Sequence, residues 1–198
     1  MSPDALGQLA LFALATLYTP GPNNIMLASS GARFGFRRSV PHLLGVALGF
    51  PMMFFMVALV LGAVFERSEL FRDALRLVGA AVMLYIAWKI ATAKRSSVDE
   101  SGARPFTFVM AAGFQFINPK AWTMIIGAAG LFIQGVSPIV EAAICAAVYA
   151  VLGLGSASLW TGFGAAIRQW LADDLRFRVF NAVMGLGVAA CVIMLFVE

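Results

Sequence analysis

Charge is what this chain has least of. Only 12% of its 198 residues are Asp, Glu, Lys or Arg, while 61% are hydrophobic. A soluble domain carries about twice that charged fraction, so the soluble-enzyme classes fall away first. Acids are missing where a proton pump would need them. No Asp or Glu stands at the centre of an apolar run, and Asp4 and Glu141 are the nearest. An Asp/Glu relay of the usual pump type is therefore absent. The two cysteines, Cys145 and Cys191, have no CxxC partner and no ligand spacing, so they read as small buried hydrophobes and no metal or cofactor is expected. Gly153-x-Gly155, Gly162-x-Gly164 and Gly185-x-Gly187 lack the strand and the third glycine of a phosphate loop. They read as packing positions, like Gly31-xxx-Gly35 and Gly45-xxx-Gly49. His42, the only histidine, follows a basic stretch and reads as a surface residue, with a proton relay as the other reading. No basic n-region precedes the first apolar run, which is expected to stay in the membrane.

What is present is apolar length. A spanning helix takes about 20 mostly apolar residues. Six segments qualify: Ala5 to Ala32, His42 to Val64, Ala74 to Thr92, Phe106 to Gln134, Ile139 to Phe163 and Val179 to Val197. The expected fold is an all-α integral membrane protein. Residues 93–105 form a polar cytoplasmic linker between two three-helix halves, 1–92 and 106–198, within one membrane domain. Trp88, Trp160 and Trp170 fall near predicted helix ends and read as interface anchors.

The first and fourth segments are broken by proline. One contains Tyr18-Thr19-Pro20-Gly21-Pro22-Asn23-Asn24, the other Phe116-Ile117-Asn118-Pro119-Lys120-Ala121. Proline removes a backbone donor and clashes with the preceding turn. Within a bilayer, the groups it frees are tolerated only where protein or a water-filled cavity satisfies them. An offset of 97 residues superposes Pro22 on Pro119 and Pro41 on Pro138. Three helices per half force the second half to insert upside down. Inverted repeats with discontinuous helices meeting at the midplane are a common transporter plan.

Loop charge sets the orientation. Arg33, Arg37, Arg38, Lys89, Lys94, Arg95, Arg104, Arg168, Arg176 and Arg178 fall on one side, and Arg67, Arg72 and Arg76 on the other. Positive-inside puts the first group in the cytoplasm and both termini outside. The basic residues form no continuous face, so nucleic acid is not an expected partner.

Lys120 is left within the membrane, where a charge costs roughly 2.5–3.5 kcal/mol on insertion scales. It reads either as a cationic group for a substrate carboxylate or a cycling proton, or as a cap for carbonyls freed at a break. A new helix start after Pro20-Gly21-Pro22 attracts anions. Asn23, Asn24 and Asn118 both donate and accept, which suits a zwitterion; they equally suit the broken backbone itself.

With these residues in view, the sequence resembles the LysE/RhtB family of small bacterial amino-acid exporters. The likeness rests on Thr19-Pro20-Gly21-Pro22-Asn23-Asn24, Gly31-x-x-x-Gly35-Phe36-Arg37-Arg38, Leu44 to Phe50, and Gln115-Phe116-Ile117-Asn118-Pro119-Lys120-Ala121. It spans essentially the whole chain. The resemblance implies a multi-pass protein of the bacterial inner membrane, not an enzyme. It would export a small amino acid or derivative by alternating access, driven by the proton-motive force. The implied substrate site is Pro20, Gly21, Pro22, Asn23, Asn118, Pro119 and Lys120, to which the residues themselves add Asn24; Lys120, Glu141 or the substrate's own titration would carry the proton coupling. Small-residue faces make a homodimer an expectation. Two other readings stand beside it: a thiol–disulfide carrier, which would need its cysteines to meet, and a non-transporting accessory subunit.

Overall fold

The computed structural model describes residues 1–58, 69–93, 104–133 and 137–195. The expected segment ends at Val64, Gln134 and Val197, most of the 93–105 linker, and Arg67, Lys94 and Arg95 lie outside these residues. The described residues form helices and connecting turns, with no strand among them. In chain order the helices are α1 (Pro3–Tyr18), α2 (Pro22–Phe34), α3 (Phe36–Met56), α4 (Glu69–Ala91), α5 (Phe108–Phe114), α6 (Pro119–Phe132), α7 (Pro138–Ala166) and α8 (Asp174–Ala190). Short 3-10 turns follow α5 at Gln115–Ile117, precede α8 at Trp170–Ala172 and follow it at Cys191–Leu195.

Both predicted breaks are present, and proline chemistry accounts for them. Pro22 and Pro119 each occupy the first helical position after the break, where a missing N–H removes nothing and the fixed φ suits a helix start. Across the 97-residue offset, α2 falls on α6 almost end to end. The other proline pair diverges: Pro138 starts α7, whereas Pro41 lies inside α3.

Two helices begin earlier than the apolar runs indicate. α3 starts at Phe36 rather than His42, because Gly35 alone makes the turn from α2, with φ +79. That backbone region favours glycine. α8 starts at Asp174 rather than Val179, because the Asp173 side chain accepts from the Arg176 amide at 2.9 Å and caps the polar first turn.

Among the described residues, three helical stretches are long and apolar enough to cross a membrane: Phe36–Met56, Pro138–Ala166 and Asp174–Ile193. The shorter apolar stretches include Leu77–Ala91 and Phe108–Ile117. The outer surface is strongly apolar, with Leu11, Val109, Val151 and Leu186 all about 70% exposed. That is the surface of a protein whose solvent is lipid.

The interior divides into two principal cores. One gathers Leu9 and Ala13 of α1, Phe50, Met53 and Phe54 of α3, Ile125 of α6 and Tyr149 of α7. The other gathers Ile25 and Met26 of α2, Met83 and Ile86 of α4, Phe114 of α5 and Val188 of α8. Each broken helix thus passes from one core to the other at its break, and in opposite directions.

Glycines set the closest helix contacts. A Cβ on Gly31 would overlap the Thr161 carbonyl, and one on Gly164 would overlap the Ala28 carbonyl, so α2 and α7 meet backbone to backbone. Gly45 and Gly49 do the same for α3 against α5. Gly164→Ala should therefore lower stability by about 1–3 kcal/mol through overpacking. Gly7→Ala, on α1 with open space around the new methyl, should be neutral or stabilising by up to ~1 kcal/mol. Thermal unfolding of the purified variants checks this; equal shifts for the two would refute the contact.

Candidate functional site

A helix that stops inside an apolar layer leaves carbonyls without donors. α1 stops at Tyr18; Thr19 and Gly21 are extended, and α2 resumes at Pro22. Side chains cap several of the freed carbonyls. The Asn24 amide donates to Leu17 O and Thr19 O, both at 2.8 Å. Ser156 Oγ, reaching from α7, donates to Leu17 O at 2.8 Å.

Lys120 supplies the rest, and it comes from the other break. Its Nζ donates to Thr19 O at 2.7 Å, Thr19 Oγ1 at 2.9 Å and Pro20 O at 3.4 Å. An ammonium carries three N–H donors, so these acceptors use all three, and none is a carboxylate. Gly21 makes room for the approach: a Cβ there would stand 2.7 Å from Lys120 Cδ. The lysine is half-buried, and Thr19 and Pro20 are exposed. Lys120 thus caps carbonyls, but those of the first break, 101 residues away in sequence.

The second break is held mostly from within. Asn118 Oδ1 accepts from the Lys120 amide at 3.1 Å, and Trp122 Nε1 donates to Phe116 O at 2.8 Å. A second bridge joins the breaks. Asn23 Nδ2 donates to Gln115 Oε1 at 2.8 Å, and Gln115 Nε2 donates back to Asn23 Oδ1 at 3.4 Å and to Ala111 O at 2.8 Å.

Between the breaks lies a small cavity of about 40 Å³. Gly21, Asn23, Asn24, Asn118 and Lys120 line it, so the structure brings five of the eight sequence-derived substrate residues to one place. Pro20, Pro22 and Pro119 shape the breaks without lining it. Glu141 sits in the first turn of α7 and does not line it either. Ser156 and Tyr149 of α7 do line it, and sequence reading missed both. Gln115 was also missed as a site residue. Its signal was legible: it is a polar side chain well inside a long apolar segment, and it is fully buried.

Two further expectations change. His42 is buried, with 1% exposure, and its Nδ1 shares a 2.8 Å hydrogen bond with Ser30 Oγ. It is therefore not a surface residue, because α3 begins before it and α2 and Phe106 cover it. Trp88 and Trp170 are exposed as interface anchors would be, but Trp160 is partly buried against Leu27, Leu43 and Ala157. Both cysteines are free. Cys145 lies in the core around Tyr149 and Cys191 packs against the one around Met83.

The LysE type translocator family model matches residues 14–197. The chain belongs to that family. It is 30% identical to a cysteine/O-acetylserine efflux protein of Escherichia coli (strain K12), over 99% of this chain and 100% of that protein. It is 35% identical to proteins of the same name from Salmonella typhimurium and Klebsiella pneumoniae. Those matches cover 61% of this chain and span 61% of each relative's length. No solved structure matches.

The Leu17 carbonyl has two donors, so the loss of one is tolerated. Asn24→Leu combined with Ser156→Ala should cost about 1–3 kcal/mol more than the two single changes added together, because only the pair leaves that carbonyl unpaired. A double-mutant cycle on detergent-solubilised protein measures it; simple additivity would refute the shared-acceptor geometry.

Proposed function

We propose that this chain exports a small amino acid or close derivative from the cytoplasm, with its cargo held between the two broken helices. The observation that carries this reading is the Lys120 bridge. A flexible cationic side chain from one break is engaged, among the described residues, by neutral oxygen acceptors of the other, at the edge of a cavity that three asparagines also line. A carboxylate offers such a group a stronger, charge-assisted partner than a carbonyl does. Arrival of a cargo carboxylate would exchange the Thr19 and Pro20 contacts for its own, and so loosen one break from the other. Asn23, Asn24 and Asn118 supply acceptors and donors for an ammonium and a small polar side chain. The names of the relatives favour cysteine-sized cargo or an O-acyl derivative.

The cavity holds only a few water molecules at about 40 Å³. An amino acid needs more, so loading requires the breaks to part. That requirement is what alternating access supplies. In this reading, six spans form two inverted three-helix repeats. The matching of α2 with α6, and the opposite directions in which the broken helices change core, support it. The loop charge places both termini outside. Export is coupled to the proton-motive force, with Lys120 the nearer of the two coupling candidates, since Glu141 lies away from the cavity.

Cells overproducing the protein should export the cargo amino acid and tolerate a toxic load of it. Lys120→Ala should reduce export to background while membrane abundance is unchanged. Full export by that variant would remove Lys120 from the mechanism. Absence of export by the unaltered protein, across a screen of amino acids and O-acetylserine, would overturn the reading itself.

A further inference from the structure

A second and much larger cavity, of about 400 Å³, shares no lining residue with the first. Two helix faces build it. Met26, Ser30 and Arg33 continue, at helical spacing, the face of α2 that begins with Asn23. Phe106, Met110, Phe114 and Ile117 follow a similar stripe through α5 and its 3-10 turn. The faces that leave the two breaks therefore diverge around this space. On the loop-charge orientation it is the cytoplasmic side.

Its chemistry is unlike that of a packing defect. An accidental void between helices is apolar throughout and closes at little cost. This one has a mostly apolar wall and a few convergent polar groups, at a size within the range of small-molecule sites. Two of those groups are buried without a partner among the described residues. His42 Nε2 is one, its other ring nitrogen already engaged by Ser30, and Asn181 Nδ2 is the other. Both residues line the cavity and are 1% and 3% exposed. A buried polar atom without a partner costs about 1–3 kcal/mol. Removing that cost would take only an apolar residue, so two such atoms in one cavity point to something that satisfies them.

The charges select its nature. Arg33, Lys89 and Arg104 line the cavity, and among the described residues no acidic one does. Lys89 lies over the Tyr85 and Trp88 rings at 5.6 and 5.7 Å, which holds its head at the membrane-interface end. A cation would meet these basic side chains there, and a fully apolar molecule would leave His42 and Asn181 unsatisfied.

We propose that this cavity is a second ligand site, for a small carboxylate with an apolar body. The basic residues hold the carboxylate, the aliphatic and aromatic wall takes the body, and the His42 and Asn181 edges take its remaining polar atoms. The site does not depend on the export reading.

Binding to the full-length protein in phosphatidylcholine nanodiscs tests this. The probes are 4-methylpentanoate, its neutral amide and the matching amine. The carboxylate should bind about tenfold tighter than the amide, as a charge-assisted contact allows, and the amine should not bind. Lys89→Gln with Arg104→Gln, both at exposed positions, should bring the carboxylate down to the level of the amide. Asn181→Leu should raise the melting temperature of the ligand-free protein while weakening the carboxylate. Equal binding of acid and amide, or full carboxylate affinity in the double variant, overturns the proposal. Charge-selective binding in a protein that exports nothing would keep the site and discard the export reading. Export without such binding would do the reverse.

Discussion

The structure depends on one constraint: a backbone interrupted inside an apolar layer must have its carbonyls hydrogen-bonded. Unpaired, such a group costs several kcal/mol in lipid. Besides the Thr19 hydroxyl on Thr16 O, three side chains from outside α1 meet that cost at the first break: Asn24, Ser156 and Lys120. Two of the three come from the second half of the sequence. Satisfying the first break therefore draws in α6 and α7, and the cavity is what remains between the elements so assembled. On the export reading proposed above, the atoms that hold the fold are also those a cargo would compete for.

The two-core arrangement follows from the same breaks. An unbroken helix of this length would run through both cores on one axis. With a non-helical step of a few residues, α1 can pack around Tyr149 while α2 packs around Met83. The second broken helix makes the crossing in reverse. The small cavity belongs to the place where the crossings meet, and the larger one to the space beyond it along α2 and α5.

Much of this was legible in the sequence, and the pattern of successes has a physical basis. Pro22 and Pro119 could be read as helix starts because proline acts on its own backbone, with no knowledge of neighbours needed. Lys120 could be singled out because its cost in a membrane is intrinsic. Its partners could not, since Thr19 lies 101 residues away and nothing local points to it. His42 was misread for the complementary reason. It follows two arginines, and polarity along the chain is a poor guide to burial when a helix continues through the polar stretch. α3 and α8 both extend into charged residues because Gly35 and the Asp173 cap, rather than hydropathy, fix where they begin. Ser156 and Tyr149 were invisible as site residues because α7 is apolar nearly all round, and which face meets the breaks is decided by packing.

The contact between α2 and α7 has one more consequence. Gly31 and Gly164 put main chain against main chain, with no side chain between to rotate or slide. Side-chain interfaces can slip by exchanging rotamers, but an interface of bare backbone can only hold or separate. These two helices therefore act as a single rivet. Any rearrangement is left to the parts around it, with Gly35 the turn between the rivet and α3.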